Sequence, residues 1–463
     1  KTLLRFENTP QPSVVSVVFD MDLDPHAPRL VTQGSYVVEN RTGAPLSEMH
    51  LRWQPELEVT RLSVQGATLA REWDAFDYRI YRFAQPMAAG ERRTVTFETV
   101  LEQRGFRNRG NTNRLVDNGT FVNNGEFAPR IGMSRDGLLS DRTVRRKHGL
   151  PAELRQARLE DTAAQRQNYV GADWVTSDIT VTTVADQTPI APGYKVSDTT
   201  ASGRRTARFV TEAPILNFLS VQSARYEVTR EVHDGIELAV YHQPGHERNV
   251  PRMIAALKTG LDYFQTAFGP YQFRQVRIIE FPAYATFAQA FANTIPYSEA
   301  LGFIADFRDP EKIDYVTYIT AHELGHQWWA HQVVSADSQG STTLTETLAQ
   351  YSALMVMRQT YGPDQIRRFL KFELDNYLRS RGTERLEELP LYRVENQGYI
   401  HYQKGGSVMY LMADQIGEDQ VNAALRSLIQ SFAFKGAPYP RSLDLVSALR
   451  AVAPADKQAL ITD

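Results

Sequence analysis

Apolar and polar residues alternate along most of the first half of the chain. This period of two is typical of half-buried β-strands, and the alternating segments are rich in Val, Phe, Tyr and Thr. The segments are residues 13–23, 30–39, 48–59, 78–83, 92–102, 177–184, 204–211, 218–232 and 236–241. The charged stretch 139–167 predicts an exposed insertion with one short helix. The pattern predicts an all-β domain, a sandwich or saddle-like sheet, over residues 1–230.

The periodicity becomes helical after residue 230. Val250, Met253, Ile254 and Leu257 recur at the spacing of one helix face. Helices are further predicted over residues 314–333, 344–360, 363–379, 404–416, 419–432 and 441–452, and strands over 275–281 and 302–306. The sequence therefore predicts a second, α+β domain over residues 231–463.

Composition limits the possible chemistry. The net charge of −3 over 463 residues gives no basic footprint, so nucleic acid is not an expected partner. The chain has no cysteine, which excludes disulfides, thiolate ligands and a cysteine nucleophile, so a transition metal would need His, Asp or Glu ligands. No apolar run reaches membrane-spanning length. Because the chain starts at Lys1 and ends in what reads as a shortened helix, we expect an excerpt from a longer protein.

His322-Glu323-Leu324-Gly325-His326 is an H-E-x-x-H motif within a predicted helix. Residues four apart share a helix face, so both imidazoles can reach one ion, and the neighbouring Glu323 can act as general base toward a water molecule. The alternative is a helix that carries two histidines by chance. Because apolar residues surround the motif, burying two unliganded imidazoles and a carboxylate would be costly, which favours zinc.

A catalytic zinc site needs a third protein ligand and one open position. Glu346 starts the next predicted helix, and a two-helix hairpin would bring it back to the histidine pair. Asp337 is the competing acid, but residues 336–340 read as a connecting loop. We therefore predict one zinc ion held by His322, His326 and Glu346.

These residues resemble the gluzincin aminopeptidases, the family of aminopeptidase N and leukotriene A hydrolase. That family has an H-E-x-x-H motif followed by a zinc-ligand Glu after eighteen residues, whereas nineteen residues separate His326 from Glu346 here. We expect the extra residue in the loop over residues 335–340. The resemblance implies an N-terminal all-β saddle domain followed by a thermolysin-like α+β catalytic domain.

A second match is Tyr402-Gln403-Lys404-Gly405-Gly406, which is similar to the family's Y-x-K-G-x segment. In the family this tyrosine donates a hydrogen bond to the tetrahedral oxyanion, so the resemblance implies that role for Tyr402. A phenol beside a metal-polarised oxygen is a suitable donor.

The family's substrate-binding edge strand is altered in this chain. Where the family has Gly-Ala-Met-Glu-Asn, residues 287–291 read Phe-Ala-Gln-Ala-Phe, so Ala290 replaces the glutamate that binds the substrate's free amine. Gln289, within this segment, and Asn293, just after it, are predicted to bind substrate. Glu126 resembles the acid of the family's T-Q-x-E segment and is predicted to help bind the amine; the alternative is a solvated loop residue.

The resemblance implies zinc-dependent removal of N-terminal residues from a peptide substrate. Two alternatives stay open: an oligopeptidase or endopeptidase that ignores the free amine, and a zinc-binding sensor module of a transporter. The wording of residues 293–299 and 326–332 is similar to a bacterial branch fused to a transporter-like membrane protein. We therefore expect an extracytoplasmic or periplasmic location, attached to a membrane-embedded portion of the same parent; the alternative is cytoplasmic.

Overall fold

A computed structural model describes residues 2–103, 113–135, 137–309, 312–395 and 397–462. The chain divides into two compact units. The first comprises Lys1–Leu154 and Ala172–Tyr226, and the second comprises Arg155–Gly171 and Glu227–Asp463.

The first unit is built almost entirely from strands. They are β1 (Ser13–Asp24), β2 (Arg29–Glu39), β3 (Leu46–Arg52), β4 (Leu57–Val64), β5 (Ala67–Trp73), β6 (Tyr78–Met87), β7 (Arg92–Glu102), β8 (Thr120–Asn123), β9 (Arg130–Ile131), β10 (Trp174–Val184), β11 (Thr188–Ile190), β12 (Tyr194–Ala201), β13 (Arg204–Val210), β14 (Ile215–Leu216) and β15 (Ser220–Ala224). Two short helices accompany them, α1 (Asn124–Phe127) and α2 (Arg142–Lys147).

These strands form three sheets. The largest has the order β12-β13-β10-β1-β2-β7-β4, with β14 also pairing with β10, and only its β1–β10 pair is parallel. The others have the orders β5-β6-β3-β9 and β11-β15-β8. In the largest sheet, Phe19, Tyr36 and Phe97 pack together on the buried face, and Gly34 leaves room for the ring of Phe97. The alternation of apolar and polar residues therefore arises because these strands bury one face and expose the other.

The second unit combines a small sheet with helices. The sheet has the order β16 (Glu227–His233), β17 (Ile236–His242), β18 (Gln275–Phe281) and β19 (Thr294–Ser298), and its last three strands are parallel. The helices are α3 (Val250–Ala267), α4 (Tyr315–Gly325), α5 (Leu348–Tyr361), α6 (Ile366–Thr383), α7 (Gly405–Ile416), α8 (Glu418–Phe432), α9 (Ser442–Val452) and α10 (Ala459–Thr462). One apolar core joins these elements, with Leu257, Phe264, Trp328 and Leu354 at its centre.

The predicted fold class is confirmed: an all-β region precedes an α/β region. The strand expected over residues 302–306 is wrong, because Glu299–Phe303 forms a π-helical turn. The stretch 139–167, predicted as one exposed insertion, is divided between the two units. Its second part lies in Arg155–Gly171, which belongs to the second unit, and Leu159 there is buried. Across the part of the chain described by the structure, no helix combines the length and apolarity needed to cross a bilayer.

Candidate metal centre

Helix α4 carries the H-E-x-x-H motif into the core of the second unit. Asp314 starts the helix, because its side chain accepts a hydrogen bond of 3.0 Å from the backbone N–H of Thr317. Most of the helix surface is buried, so α4 has little amphipathic character and is fixed by packing from several sides. His322 and Glu323 lie in its last turn, and His326 directly follows its end.

The two imidazoles meet edge to face. Their Nε2 atoms are 3.0 Å apart and their ring centroids 4.6 Å apart. The Nδ1–H of His326 donates to the carbonyl oxygen of Trp329 at 3.0 Å, which leaves Nε2 with its lone pair directed at the other ring. Nδ1 of His322 is buried and has no hydrogen-bond partner among the described residues.

Glu346 completes the group from the next element of the chain. Its Oε2 atom is 3.4 Å from Nε2 of His322 and 3.4 Å from Nε2 of His326. Asp337, the competing acid, is not part of this group of potential ligands. The structure therefore brings together the three residues predicted as ligands and selects Glu346 over Asp337.

The spacing of these atoms fits a tetrahedral metal ion. Zinc bonds of about 2.0–2.2 Å to nitrogen and oxygen place tetrahedral ligand atoms roughly 3.3 Å apart. The observed separations are 3.0, 3.4 and 3.4 Å. The imidazoles also hold the pKa of the Glu346 carboxyl well below its ordinary value in spite of its burial, so the site offers an anionic ligand. Two nitrogens and one carboxylate suit zinc.

Glu346 lies in a π-helical turn, Thr343–Thr347, which leads directly into α5. A π turn contains one more residue than an α-helical turn and is common at functional sites. This turn can therefore absorb the nineteenth residue between His326 and Glu346 without displacing α5. The loop over residues 335–340 is not the only place where the extra residue can be accommodated.

The Glu323 carboxyl group is buried beside the imidazoles. Burial raises the pKa of Glu323, while the two histidines and a hydrogen bond from the Ala290 backbone partly oppose this rise. Its Oε2 atom has no hydrogen-bond partner among the described residues. One carboxylate oxygen is thus available at the site, on a group whose pKa lies above that of an ordinary glutamate.

Tyr402 reaches the centre from a second π-helical turn, Ile400–Lys404, which precedes α7. Its phenol lies beside the Glu346 carboxylate, and its ring centroid is 5.9 Å from that of His322. Burial, together with the negative charge of Glu346, raises the pKa of Tyr402 above its ordinary value. Tyr402 is therefore a protonated donor at neutral pH.

Residues 287–291 run beside the metal centre as the outer partner of β19. Backbone hydrogen bonds join Gln289 N–H to Pro296 and Phe291 N–H to Thr294. The carbonyl of Ala290 accepts a hydrogen bond of 3.1 Å from Nε2 of His331, whose pKa is lowered to about 4 by burial. His331 thus stays neutral and holds this segment through its hydrogen bond to Ala290. The position of His331 in the sequence, five residues after His326, gives no sign of this contact.

Of the two predicted substrate-binding residues near this segment, Gln289 is half-buried and Asn293 is only 1% exposed. Asn293 adopts a left-handed backbone conformation in the turn before β19, and its side-chain oxygen accepts from Arg277 at 3.1 Å. Its backbone N–H donates to the side chain of Gln327 at 2.9 Å. These contacts show that Asn293 supports the turn before β19, and its predicted contact with substrate stays a prediction.

Glu126 belongs to the first unit and caps α1. Its carboxylate accepts hydrogen bonds from the backbone N–H of Asn123 at 2.8 Å and from Arg114 at 3.1 Å. Burial raises the pKa of Glu126, and the positive charge of Arg114 opposes the rise. The predicted contact of Glu126 with a substrate amine stays a prediction.

Comparison with known proteins agrees with this geometry. Residues 252–460 match the Peptidase family M1 domain. Human endoplasmic reticulum aminopeptidase 2 is 25% identical over 224 residues, which are 46% of this chain and 23% of that protein. Aminopeptidase M1 of Arabidopsis thaliana is 25% identical over 228 residues, or 47% of this chain and 25% of that protein. The chain spans about a quarter of the length of these curated relatives.

Solved structures extend the likeness to both units. An M1 zinc metallopeptidase from Deinococcus radiodurans, solved with a Tyr-Ser-Ala substrate, is similar with a TM-score of 0.65 and 16% identity. The match covers 97% of this chain and 93% of that one. At this identity the likeness shows the fold, a β region followed by an α/β region. The match over residues 252–460 includes the whole metal centre, so this part of the chain is similar to the peptidase family M1 domain.

Proposed function

We propose that this protein is a zinc metallopeptidase that removes N-terminal residues from peptides. The observation that carries the proposal is the convergence of His322, His326 and Glu346 on one point, with a carboxylate oxygen of Glu323 free beside them. The similarity to aminopeptidases from human and plant sources supports the substrate class.

His322, His326 and Glu346 would hold the zinc ion. When bound, zinc supplies Lewis acidity, which polarises a carbonyl and makes water easier to deprotonate. Glu323 is the proton carrier: its free oxygen accepts a proton from the attacking water and returns it to the leaving amine. The raised pKa of Glu323 suits this role, because a base that must later act as an acid works best near the ambient pH.

Tyr402 supplies the second contact to the reacting carbonyl. Its phenol stays protonated and points at the ligand group, so its O–H can donate to the oxygen that gains negative charge during attack. In the described structure the phenol lies beside the Glu346 carboxylate.

Recognition of a free amine requires a negative charge near the N-terminus of the substrate. Ala290 offers no carboxylate, so the negative charge would come from Glu346 in the metal group. The substitution at Ala290 also favours the alternative of an oligopeptidase or endopeptidase that does not require a free N-terminus. Gln289 remains a candidate side chain for substrate in either case.

The experiment is metal analysis followed by cleavage of matched peptides with a free or an acetylated N-terminus. We expect one zinc per chain and loss of cleavage on acetylation. Equal rates on both peptides would replace the aminopeptidase with the endopeptidase alternative. Cleavage that survives complete zinc removal would contradict the metallopeptidase itself.

We also propose an extracytoplasmic location and a membrane-embedded portion of the same parent protein. The support is the similarity of residues 293–299 and 326–332 to the bacterial branch described above. Protease accessibility of the native protein in intact and permeabilised cells tests the location. Protection from protease in intact cells whose outer barrier has been removed would favour the cytoplasmic alternative.

A further inference from the structure

Thr347 ends one of the two π-helical turns at the metal centre and contacts the other. It directly follows the metal ligand Glu346 in the chain, and it is fully buried. Its hydroxyl donates a hydrogen bond of 2.6 Å to the backbone carbonyl of His401. His401 in turn directly precedes Tyr402, so one hydrogen bond joins the neighbour of a metal ligand to the neighbour of the phenol.

The backbone around this bond is packed too closely to adjust freely. A Cβ atom at Gly405 would lie 2.4 Å from Oγ1 of Thr347 and 2.8 Å from its Cγ2. A Cβ atom at Gly406 would lie 3.0 Å from Cβ of Gln350 on α5. The start of α7 therefore rests directly on the turn that carries Glu346, and only glycine allows this approach.

Both turns depart from α-helical geometry at the point where they meet. Glu346 and Thr347 end the π-helical turn Thr343–Thr347, and His401 and Tyr402 lie inside the turn Ile400–Lys404. A π turn loses the regular i to i−4 ladder of the α-helix, so contacts from outside contribute more to its shape. The threonine hydroxyl provides such a contact for the tyrosine turn.

We propose that Thr347 is a positioning residue, which holds Tyr402 against the metal centre through the hydrogen bond to the His401 carbonyl. This inference rests on the proposed function, because it assumes that Tyr402 donates to the reacting carbonyl. Thr347 is not among the potential metal ligands, and its hydroxyl donates to the His401 carbonyl. Its effect should therefore pass through Tyr402 and leave metal binding unchanged.

The principal test is a double-mutant cycle with Thr347→Val and Tyr402→Phe. Valine keeps the shape of threonine and removes only the hydroxyl. We expect Thr347→Val to lower kcat about tenfold with little change in KM, because a small misplacement of a catalytic group affects the transition state more than substrate binding. In the Tyr402→Phe background the same change should have almost no effect on kcat.

Two further variants separate positioning from general destabilisation. Thr347→Ser keeps the hydroxyl and should restore most of the lost kcat. Thr343→Val is the matched control, because Thr343 is equally buried in the same turn and donates to the carbonyl of Leu391 at 2.8 Å. We expect Thr343→Val to leave kcat within about twofold of the parent value. Each variant is first checked for zinc content and thermal unfolding.

A measurement on the zinc-free protein tests the contact without relying on activity. Amide hydrogen exchange over residues 400–406 should be faster in Thr347→Val than in the parent or in Thr343→Val. Unchanged exchange there, or a kcat loss that is equally large in the Tyr402→Phe background, would overturn the proposal. If Thr347→Val alters exchange but no variant or parent cleaves peptides, the proposed function fails while the structural contact is confirmed.

Discussion

Glu373 on α6 is a buried carboxyl group whose ionisation should weaken the second unit at neutral pH. It is 2% exposed, and its Oε1 accepts a hydrogen bond of 3.0 Å from the hydroxyl of Tyr318, on the helix that carries His322. Its Oε2 has no hydrogen-bond partner among the described residues. Burial raises the pKa of Glu373 from 4.5 to about 7, and the bond from Tyr318 opposes the rise.

The sign of the effect follows from proton linkage. Between pH 4.5 and 7 the folded protein binds a proton at Glu373 that the unfolded chain has released, so stability falls as the pH rises. With the pKa values of 4.5 and about 7, this group alone lowers the free energy of unfolding by about 2.5 kcal/mol between pH 5 and pH 8. Glu373→Gln removes the titration and keeps an acceptor for Tyr318.

The assay is urea-induced unfolding of parent and variant from pH 5 to pH 8, followed by far-UV circular dichroism, which reports mainly on the helices of the second unit. The buried amide nitrogen of glutamine lowers the free energy of unfolding by an amount that does not depend on pH. The informative quantity is therefore how the difference in free energy of unfolding between variant and parent changes with pH. We expect that difference to move in favour of Glu373→Gln by about 2.5 kcal/mol as the pH rises.

The control is Asp375→Asn on the same helix, where the carboxylate pairs with Lys371 at the surface. Its difference from the parent should stay nearly constant, because an exposed ion pair contributes little to stability. If the curves of Glu373→Gln and the parent run parallel across the whole pH range, the carboxyl of Glu373 titrates normally and our description of its environment is wrong.

Three further predictions concern the metal centre and its support. Glu323→Gln should bind zinc as the parent does and lower kcat by at least about a thousandfold, since it removes the proton carrier; near-normal turnover by a zinc-loaded variant would contradict the mechanism. Tyr402→Phe should lower kcat by about a hundredfold to a thousandfold with little effect on KM, measured by steady-state kinetics; an unchanged kcat would remove Tyr402 from the chemistry. Gly405→Ala should destabilise the protein by about 1–3 kcal/mol in thermal or urea unfolding, because its methyl group would overlap the side chain of Thr347; wild-type stability would show that α7 can move away.

The parts of the site that the sequence predicted are those governed by local periodicity. The geometry of one α-helix is enough to predict that His322 and His326 share a face. To predict Glu346 as the third ligand, it is enough to assume that the next helix runs antiparallel to the first. The strands of the first half could also be predicted, because their buried and exposed faces give an alternating pattern of apolar and polar residues.

The parts that the sequence did not predict depend on contacts between distant segments. The π-helical turns at Glu346 and Tyr402 have no recognisable sequence pattern. They occur where the start of α7 packs closely against Thr347 and α5, and the sequence alone does not show this contact. Strand β19 is buried throughout and therefore lacks alternation, so its pattern cannot be distinguished from that of a short buried helix. The contacts of Asn293 to Arg277 and Gln327 are made across elements, so the sequence alone did not predict them.

A zinc site formed by His322, His326 and Glu346 is tested most directly by X-ray absorption spectroscopy at the zinc edge, with metal stoichiometry, on the parent protein and on Glu346→Ala. We expect one zinc per chain, bound by two imidazoles and one carboxylate oxygen in the parent, with much weaker retention in the variant. Zinc that stays bound with an unchanged spectrum in Glu346→Ala, or a parent protein that binds no zinc at this site, would contradict this expectation.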